Sequence, residues 1–337
     1  MGLSALNQTK NFGLKTLIKK AGLVLGKIGV YEAGWILGPR LNATGRLGSA
    51  MDSLRLLCFE RPSWVEKLAE KLTKINQERQ KLTEEIFLHA KETLEREYGK
   101  DLPPLIFLSH PSYHEGVVGL VAAKLTEEFF RPAIVGCEKG EVVKASARSI
   151  PSFNIVEAIS QGKDLLEEFG GHQLAAGLTV KKENLSLLKE KLLSFAQKHL
   201  SKETLQPMLK IDCQIDLGDL TWSLFEEISK LEPFGIGNPR PLFLTRNLRV
   251  IRVRQVGNGQ KHLKLKLDDL KTKSIENKEV EVSPPSPTFD GIGFNLGFWG
   301  QQLREGDVVD LVYNLDKNVW NGEEILQLKV KDLRRVR

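Results

Sequence analysis

Leu105-Ile106-Phe107-Leu108 is a short, wholly apolar run, followed by Glu115 to Phe130, by Pro132-Ala133-Ile134-Val135-Gly136, and by Glu141 to Arg148. The first, third and fourth stretches read as strands, being short and bounded by turn residues. The second reads as a helix. Ile155 to Gln161 predicts a further helix, Leu174 to Val180 includes a strand, and Lys182 to Lys198 is amphipathic at helical spacing. Alternation of this kind predicts an α/β domain, a central sheet with helices packed on it.

On the N-terminal side, Val65, Leu68, Leu72, Ile75, Leu82, Ile86, Ala90 and Leu94 keep helical spacing up to about Tyr98. Ser63 with Glu66 three positions on predicts a capping box at its start, and Gly99 to Pro104 stops it. A helix of about 35 residues, rising about 1.5 Å per residue, runs roughly 50 Å, long enough to connect two lobes. Asn42-Ala43-Thr44-Gly45-Arg46 predicts a loop-to-helix transition, and Ser49 to Phe59 a short helix. On the C-terminal side the period changes. Short strands are predicted at Lys210–Ile215, Leu248–Val256, His262–Leu267, Phe289–Phe294, Val308–Asn314 and Leu326–Asp332, with Gly257-Asn258-Gly259 and Asn321-Gly322 as turns. Such a run suggests a small β-barrel, with the oligonucleotide-binding (OB) barrel as leading candidate. Lys273–Pro287, charged and Pro-rich, reads as a mobile loop. The expected fold class is α/β plus β, divided at 1–60, 61–99, 100–203 and 207–337.

The chain has 337 residues, 41% hydrophobic and 27% charged, a globular composition that excludes a disordered protein. Cys58, Cys137 and Cys213 are odd in number and far apart, which excludes a disulfide framework or a zinc ribbon and fits a reducing cytosol. No apolar run reaches the roughly 18–20 residues that span a bilayer. The first residues lack a leader pattern, so a cytoplasmic location without a membrane partner is expected. Charge is concentrated in two places. Residues 1–60 hold eight basic and three acidic side chains, and residues 246–273 hold nine basic and two acidic ones. Clustered Lys and Arg suit a polyanion, because phosphate contacts release counterions; a solvated basic surface is the plainer alternative.

Ala145-Ser146-Ala147-Arg148-Ser149 ends a predicted strand, and Phe169-Gly170-Gly171-His172 follows about twenty residues later. Small residues let backbone N–H groups approach a ligand, Ser146 offers a hydroxyl, and Arg148 a planar fork matched to phosphate. Gly170-Gly171 would set His172 at the mouth of a following helix or turn. Together these residues could grip a terminal phosphate, although Gly-Gly serves equally as an ordinary turn and a lone histidine as a structural one. Arg40, Asn42 and Arg46 surround Gly45 and could face a phosphodiester backbone, or be surface residues of a helix start. His110 and His114 straddle Pro111, which disfavours a shared metal, and Glu115 is isolated. Two-metal phosphoester chemistry needs several Asp and His ligands on ions about 4 Å apart. Neither an Asp-His-His run nor an Asp-x-Asp motif occurs, so no metal site can be assembled from these residues.

Several stretches, in this order, resemble the C-terminal part of the RecJ family, single-strand-specific exonucleases of the DHH phosphoesterase superfamily. They are Gly38 to Leu47, Asn76-Gln77-Glu78-Arg79-Gln80, His114 to Ala122, Ser146 to Pro151, Phe169 to Gly177, Pro233 to Pro239 and Lys261-His262-Leu263-Lys264. The resemblance implies 5′-to-3′ degradation of single-stranded DNA in recombination and repair, with Mn²⁺ or Mg²⁺ held by a DHH domain. It implies that Ser146 and Arg148 engage the 5′ phosphate, with Gly170, Gly171 and His172 nearby, and that Arg40, Asn42 and Arg46 line an interdomain DNA path. The barrel, with Arg249, Arg252, Arg254, Lys261, His262 and Lys264, would hold the strand, and Phe243 and Trp299 could stack bases. It also implies that residues 1–60 are the tail of a DHH domain with an interdomain segment, 61–99 the connecting helix, 100–203 the DHH-associated domain and 207–337 the OB domain. The family's metal-binding motifs lie upstream of residue 1, so this chain is expected to be inactive alone. A split gene with a separate DHH polypeptide, a fragment and a stand-alone binding protein all satisfy that pattern. The alternatives in function are a nonenzymatic single-stranded nucleic-acid-binding repair scaffold and a DHH relative that processes RNA or oligonucleotides.

Overall fold

The computed structural model describes residues 1–269 and 287–336. The chain divides into two compact units, Met1–Pro207 and Met208–Arg337. In the first, α1 (Gly2–Asn7), α2 (Phe12–Lys20), α3 (Gly38–Leu47) and α4 (Met51–Cys58) accompany the 37-residue α5 (Pro62–Tyr98). Leu17, Ile18, Leu37, Leu56, Val65, Ala69 and Leu72 form the core between them.

Two helix starts differ from expectation, each because of a proline. A π-helical turn, Glu32–Leu37, runs directly into α3, where Pro39 stands in the first turn. Proline lacks an amide proton and crowds the carbonyl four residues back; a widened preceding turn accommodates both. Asn42 to Arg46 therefore lies inside α3 rather than at a loop-to-helix transition. For α5 the N-cap is Arg61, with no side-chain cap bond. Pro62 opens the helix with a preset φ and no donor to satisfy, which leaves Ser63 inside the first turn and removes the expected capping box.

The α/β part runs β1 (Ile106–His110), α6 (Glu115–Phe129), β2 (Ala133–Lys139), β3 (Val142–Arg148), α7 (Ile155–Ser160), β4 (Leu166–His172), β5 (Ala175–Lys181) and α8 (Leu185–His199). The sheet order is β1-β2-β3-β5-β4, with β1 and β2 parallel and the remaining pairs antiparallel. Val143, Ala145, Ala147, Ala176, Leu178 and Val180 pack on one face against Ile155, Ala158 and Ile159 of α7 and Leu188, Leu192 and Ala196 of α8. On the other side, α5 and α6 cover β1 and β2 through Ile86, Ala90, Val117, Val121, Ile106, Leu108 and Val135. Strand β4 was not expected. The Gly-Gly pair is part of it, and His172 precedes a tight turn into β5, not a helix. Pairing with β5 overrides the poor strand propensity of glycine and glutamate.

The second unit contains β6 (Cys213–Gln214), α9 (Trp222–Ser229), β7 (Phe243–Val256), β8 (His262–Asp269), β9 (Phe289–Gly293), β10 (Val308–Trp320) and β11 (Glu323–Arg335). Pairing follows β7-β8-β9-β11-β10 and returns from β10 to β7, so these five strands close a ring. Leu248, Val250, Leu263, Leu265, Leu267, Leu311, Tyr313 and Leu328 fill its core. The expected strand at Lys210–Ile215 shrinks to two residues. Helix α9, absent from the sequence reading, is capped by Thr221, whose hydroxyl accepts from the Leu224 amide at 3.2 Å. Asn321 and Gly322 both have positive φ, 52° and 86°, as the two-residue turn between β10 and β11 demands. Of the expected loop at Lys273–Pro287, residues 273–286 lie outside the described residues.

One polar contact crosses this core. The Tyr313 hydroxyl donates to Thr245 Oγ1 at 2.7 Å, and that hydroxyl donates to the Ile215 carbonyl at 2.8 Å. Burial pushes the Tyr313 pKa up to about 12. Thr245→Val would strand a buried hydroxyl and a carbonyl, at a cost of about 1–3 kcal/mol. Tyr313→Phe removes only the outer donor and should cost less. Urea midpoints of the two variants test the order; equal losses would contradict the relay.

Candidate nucleic-acid interface

Strands β3 and β4 flank β5, and the register aligns their candidate residues. Ser146 pairs with Gly177 and Gly177 with Gly170; two positions along, Arg148 pairs with Ala175 and Ala175 with His172. Paired residues, and residues two apart on a strand, share a face. These six therefore lie on one side of the sheet, opposite the buried Ala145, Ala147, Ala176 and Leu178. Gly170 and Gly177 put no side chain on this floor, and a shallow depression lies over them, bordered by Lys144, Glu168 and Thr179. Gly171 pairs with Ala176 and is not on that face.

Helix α6 closes one side of the floor at close range. A Cβ at Gly119 would lie 3.3 Å from Arg148 Nη2 and from Ser146 Cβ and Oγ. At Gly116 it would lie 1.8 Å from the Arg46 carbonyl oxygen. Arg46 in turn donates from Nη1 to the Gly116 carbonyl at 3.2 Å. Burial, and then the positive charge of Arg46, lower the Arg148 pKa from its ordinary value. The same two causes, in the same order, lower that of Arg79 on α5. Arg79 donates from Nη2 to Asn76 Oδ1 at 3.0 Å, and Asn76 is 2% exposed. Arg46, Arg79 and Arg148 come from three elements, and no carboxylate among the described residues forms a salt bridge with any of them. Guanidinium groups without acidic partners favour a phosphate-bearing ligand, which accepts paired N–H donors.

Other candidates are placed differently. Arg40 lies six residues before Arg46 on α3, about 120° around the helix at 3.6 residues per turn. Its Nη1 donates to the Ile36 carbonyl at 2.7 Å. Asn42 is exposed, one turn before Arg46. His114 caps α6, its Nδ1 accepting from the Gly116 amide at 3.1 Å, while Glu115 pairs with Lys139 at 3.2 Å. His110 bonds Ser112, and its ring lies 4.8 Å from that of His89. Among the described residues no three His, Cys, Asp or Glu side chains converge where a metal ion could sit.

In the second unit, Arg252 pairs with Lys266 and Arg254 with Lys264 across β7 and β8. All four line a shallow outer depression with Asp290, which sits 3.6 Å from Lys264 Nζ. Arg249 does not join them. It is tied to the buried Asp268, Nε to Oδ1 at 2.9 Å, and that pairing raises its pKa. His262 accepts the Asn295 amide at Nδ1, and Lys261, exposed, accepts the Gly297 amide at its carbonyl. Phe243 is buried beside Tyr313 and Trp299 packs on the core. Among the described residues of this unit, Trp222, Phe294 and Phe298 are exposed aromatic rings. Phe294 stands 5.2 Å from the His262 ring with Lys329 Nζ 5.6 Å from its centroid.

Sequence reasoning missed Arg79 and Phe294. The signals were present: Arg79 falls in a quoted motif on the helix read as a connector, and Phe294 directly follows an alternating strand. The approach of α6 can be checked directly. Gly116→Ala should destabilise the chain by about 1–3 kcal/mol, because its methyl meets backbone that has no free rotor to yield. An unchanged urea midpoint would contradict the close packing of α6 on α3.

Comparison with known proteins covers both units. The DHHA1 domain profile matches residues 103–198, and that of the RecJ OB domain matches residues 211–332. The single-stranded-DNA-specific exonuclease RecJ of Bacillus subtilis (strain 168) is 35% identical over 335 residues, covering 98% of this chain and 40% of its own length. That of Escherichia coli (strain K12) is 30% identical over 331 residues, covering 95% and 54%. The crystal structure of RecJ in complex with Mn²⁺ from Thermus thermophilus superposes with a TM-score of 0.80 at 26% identity, over 100% of this chain and 46% of that one. A Mg²⁺ complex from the same organism gives 0.75. The chain spans about half the length of the relatives it matches. With its DHHA1 and OB domains in sequence, and a match along nearly its whole length, the chain belongs to the RecJ family.

Proposed function

We propose that this chain is the strand-binding portion of a 5′-to-3′ single-stranded-DNA exonuclease of recombination and repair. The observation that carries the reading is the register of β3, β5 and β4. It gathers Ser146, Arg148 and His172 around a side-chain-free floor, beside guanidinium groups that lack acidic partners. On this reading Ser146 and Arg148 take the terminal 5′ phosphate, with Gly170 and His172 alongside and Gly171, which faces away, only shaping the strand, while Asn42 and Arg46 follow the backbone. Arg40, turned about 120° from Arg46, contributes to that path from α3's other side.

Residues 1–60 are then the tail of a DHH domain with the interdomain segment, 61–99 the connecting helix, 100–203 the DHH-associated domain and 207–337 the OB domain. A DHH domain would hold the Mn²⁺ or Mg²⁺, whose chemistry there would be to lower the pKa of an attacking water. This chain's own residues bind and orient the strand. Val24, Tyr31, Trp35, Met51, Leu54 and Trp64 are exposed in the first unit. Apolar side chains at this density suit a covered surface, and a DHH domain, joined or separate, is the partner the reading requires. A cytoplasmic location belongs to the same reading; no helix among the described residues is long and apolar enough to cross a membrane.

The outer face of β7 and β8 supports the second half of the proposal. Arg252, Arg254, Lys264 and Lys266 form a basic track on which a strand can lie, and Phe294 offers a ring for a base at about 1–3 kcal/mol.

Arg148→Ala should weaken a 5′-phosphorylated strand about 10- to 100-fold and a 5′-hydroxyl strand far less, since a charge-assisted hydrogen-bond pair is lost only from the former. Equal losses on both strands, measured by fluorescence anisotropy, would remove the phosphate pocket. For the track, Arg252→Ala with Lys264→Ala should reduce the log–log salt slope by about one per lost phosphate contact. Arg249→Ala should leave the slope unchanged and instead lower stability, because Asp268 loses its partner in a buried site. An unchanged slope in the double variant would mean that those cations face only solvent.

A further inference from the structure

We infer that Arg79 and Arg46 form a second phosphate subsite, one step along the strand from Ser146 and Arg148, so that the chain recognises two adjacent phosphates rather than a terminal phosphate alone. The inference rests on the terminal-phosphate reading above and deepens it.

Arg79 is an unusual side chain for this molecule. Partly covered arginines elsewhere gain a carboxylate: Arg249 has Asp268, and Arg240 has Glu232 and Asp316. Arg40, Arg79 and Arg131 each bury an Nε without a hydrogen-bond partner, but Arg40 and Arg131 turn to backbone carbonyls, those of Ile36 and Phe129. The side-chain bond of Arg79 goes instead to Asn76. Asn76 lies one turn earlier on α5 and is itself buried, so it fixes the guanidinium in place instead of neutralising it. A half-buried cation whose Nε is covered, held but not paired, is costly unless a ligand completes it.

The order of the three arginines follows from α6. Gly119 lies against Ser146 and Arg148, while Gly116, three residues earlier, lies against the Arg46 backbone, so Arg46 sits about one helical turn from the terminal-phosphate residues. Arg79 extends the row from α5, which packs against α3, and its buried Nε has no hydrogen-bond partner. Charge balance agrees. A terminal phosphate carries about 1.5 to 2 negative charges near neutral pH. Three guanidinium groups leave about one positive charge over, which is the charge of one phosphodiester. The packing of α3 on α6 at Gly116 holds Arg46 where it can serve both groups.

The test uses the full chain and three probes: deoxyadenosine 5′-monophosphate, the 5′-phosphorylated dinucleotide of two deoxyadenosines, and that dinucleotide with a 5′ hydroxyl. Wild-type chain should bind the phosphorylated dinucleotide about tenfold or more tighter than the mononucleotide, as one added charge-assisted contact implies. Arg79→Gln should shrink that advantage to about twofold and weaken the 5′-hydroxyl dinucleotide, with mononucleotide binding unchanged. Arg148→Ala should weaken both phosphorylated probes. If Arg79→Gln weakens mononucleotide and dinucleotide equally, or neither, the second subsite is overturned. If instead Arg148→Ala alters nothing, the terminal-phosphate reading fails, while the 5′-hydroxyl dinucleotide still reports on Arg79. Should Arg79→Gln melt lower than wild type, Arg79→Lys is read in its place. It keeps the charge and loses the fork, and should cost about threefold or more on the phosphorylated dinucleotide only; unchanged dinucleotide binding would overturn the subsite.

Discussion

Positive charge held together without a counter-charge is the constraint around which the first unit is built. Arg46 repels both Arg79 and Arg148, and the latter two are partly stripped of water, so their own interactions favour separation. Packing opposes this. Gly116 lets α6 meet the backbone of α3, Gly119 lets it meet Ser146 and Arg148, and the buried Asn76 fixes Arg79 on α5. Apolar contacts among Ile86, Ala90, Val117, Val121 and Leu108 keep α5 and α6 on the sheet whatever the arginines do. On the proposed reading, the site would be preorganised for an anion because the core, not the ligand, supplies the free energy that assembles it.

A different division of labour governs the second unit. Its arginines split between those that hold the ring of strands and those left on its outside. Arg249 with Asp268 and Arg334 with Asp310 sit where one partner of each pair is buried, and Asp310 is held below the ordinary carboxylate range by Arg334 and the Asn247 amide despite burial pushing the other way. Arg252, Arg254, Lys264 and Lys266 alternate with Val253, Leu265 and Leu267, so the same strands that bury their apolar residues present these cations outward. The count of basic residues between 246 and 273 overstated what is available to a ligand, because composition does not distinguish a paired arginine from a free one.

Much of the fold was legible in the sequence. The alternation from Leu105 to Lys198, the long helix to Tyr98 and most strands beyond Leu248 follow from apolar period and turn residues, which report directly on burial. What was not legible depended on partners. Leu166–His172 has two glutamates and two glycines and becomes a strand only because β5 lies beside it. The start of α3 depends on a π-helical turn before Pro39, where proline ordinarily signals a break. At the candidate site, Ser146, Arg148 and His172 could be named, but their common face is a property of register across three strands. Arg79 was hidden for the opposite reason. A charged residue in a charged helix looks solvated until α3 is seen packed against it.

If this chain is a binder that lacks catalytic metal ligands of its own, one assay tests it most directly. Purified chain 1–337 is incubated with Mn²⁺ and a labelled 5′-phosphorylated single strand, and the products are run on denaturing and native gels. The expected result is a strand of unchanged length that is retarded in the native lane. Progressive shortening from the 5′ end, abolished by a chelator, would contradict this by revealing a metal site within these residues, and an unretarded strand would contradict the binding role itself.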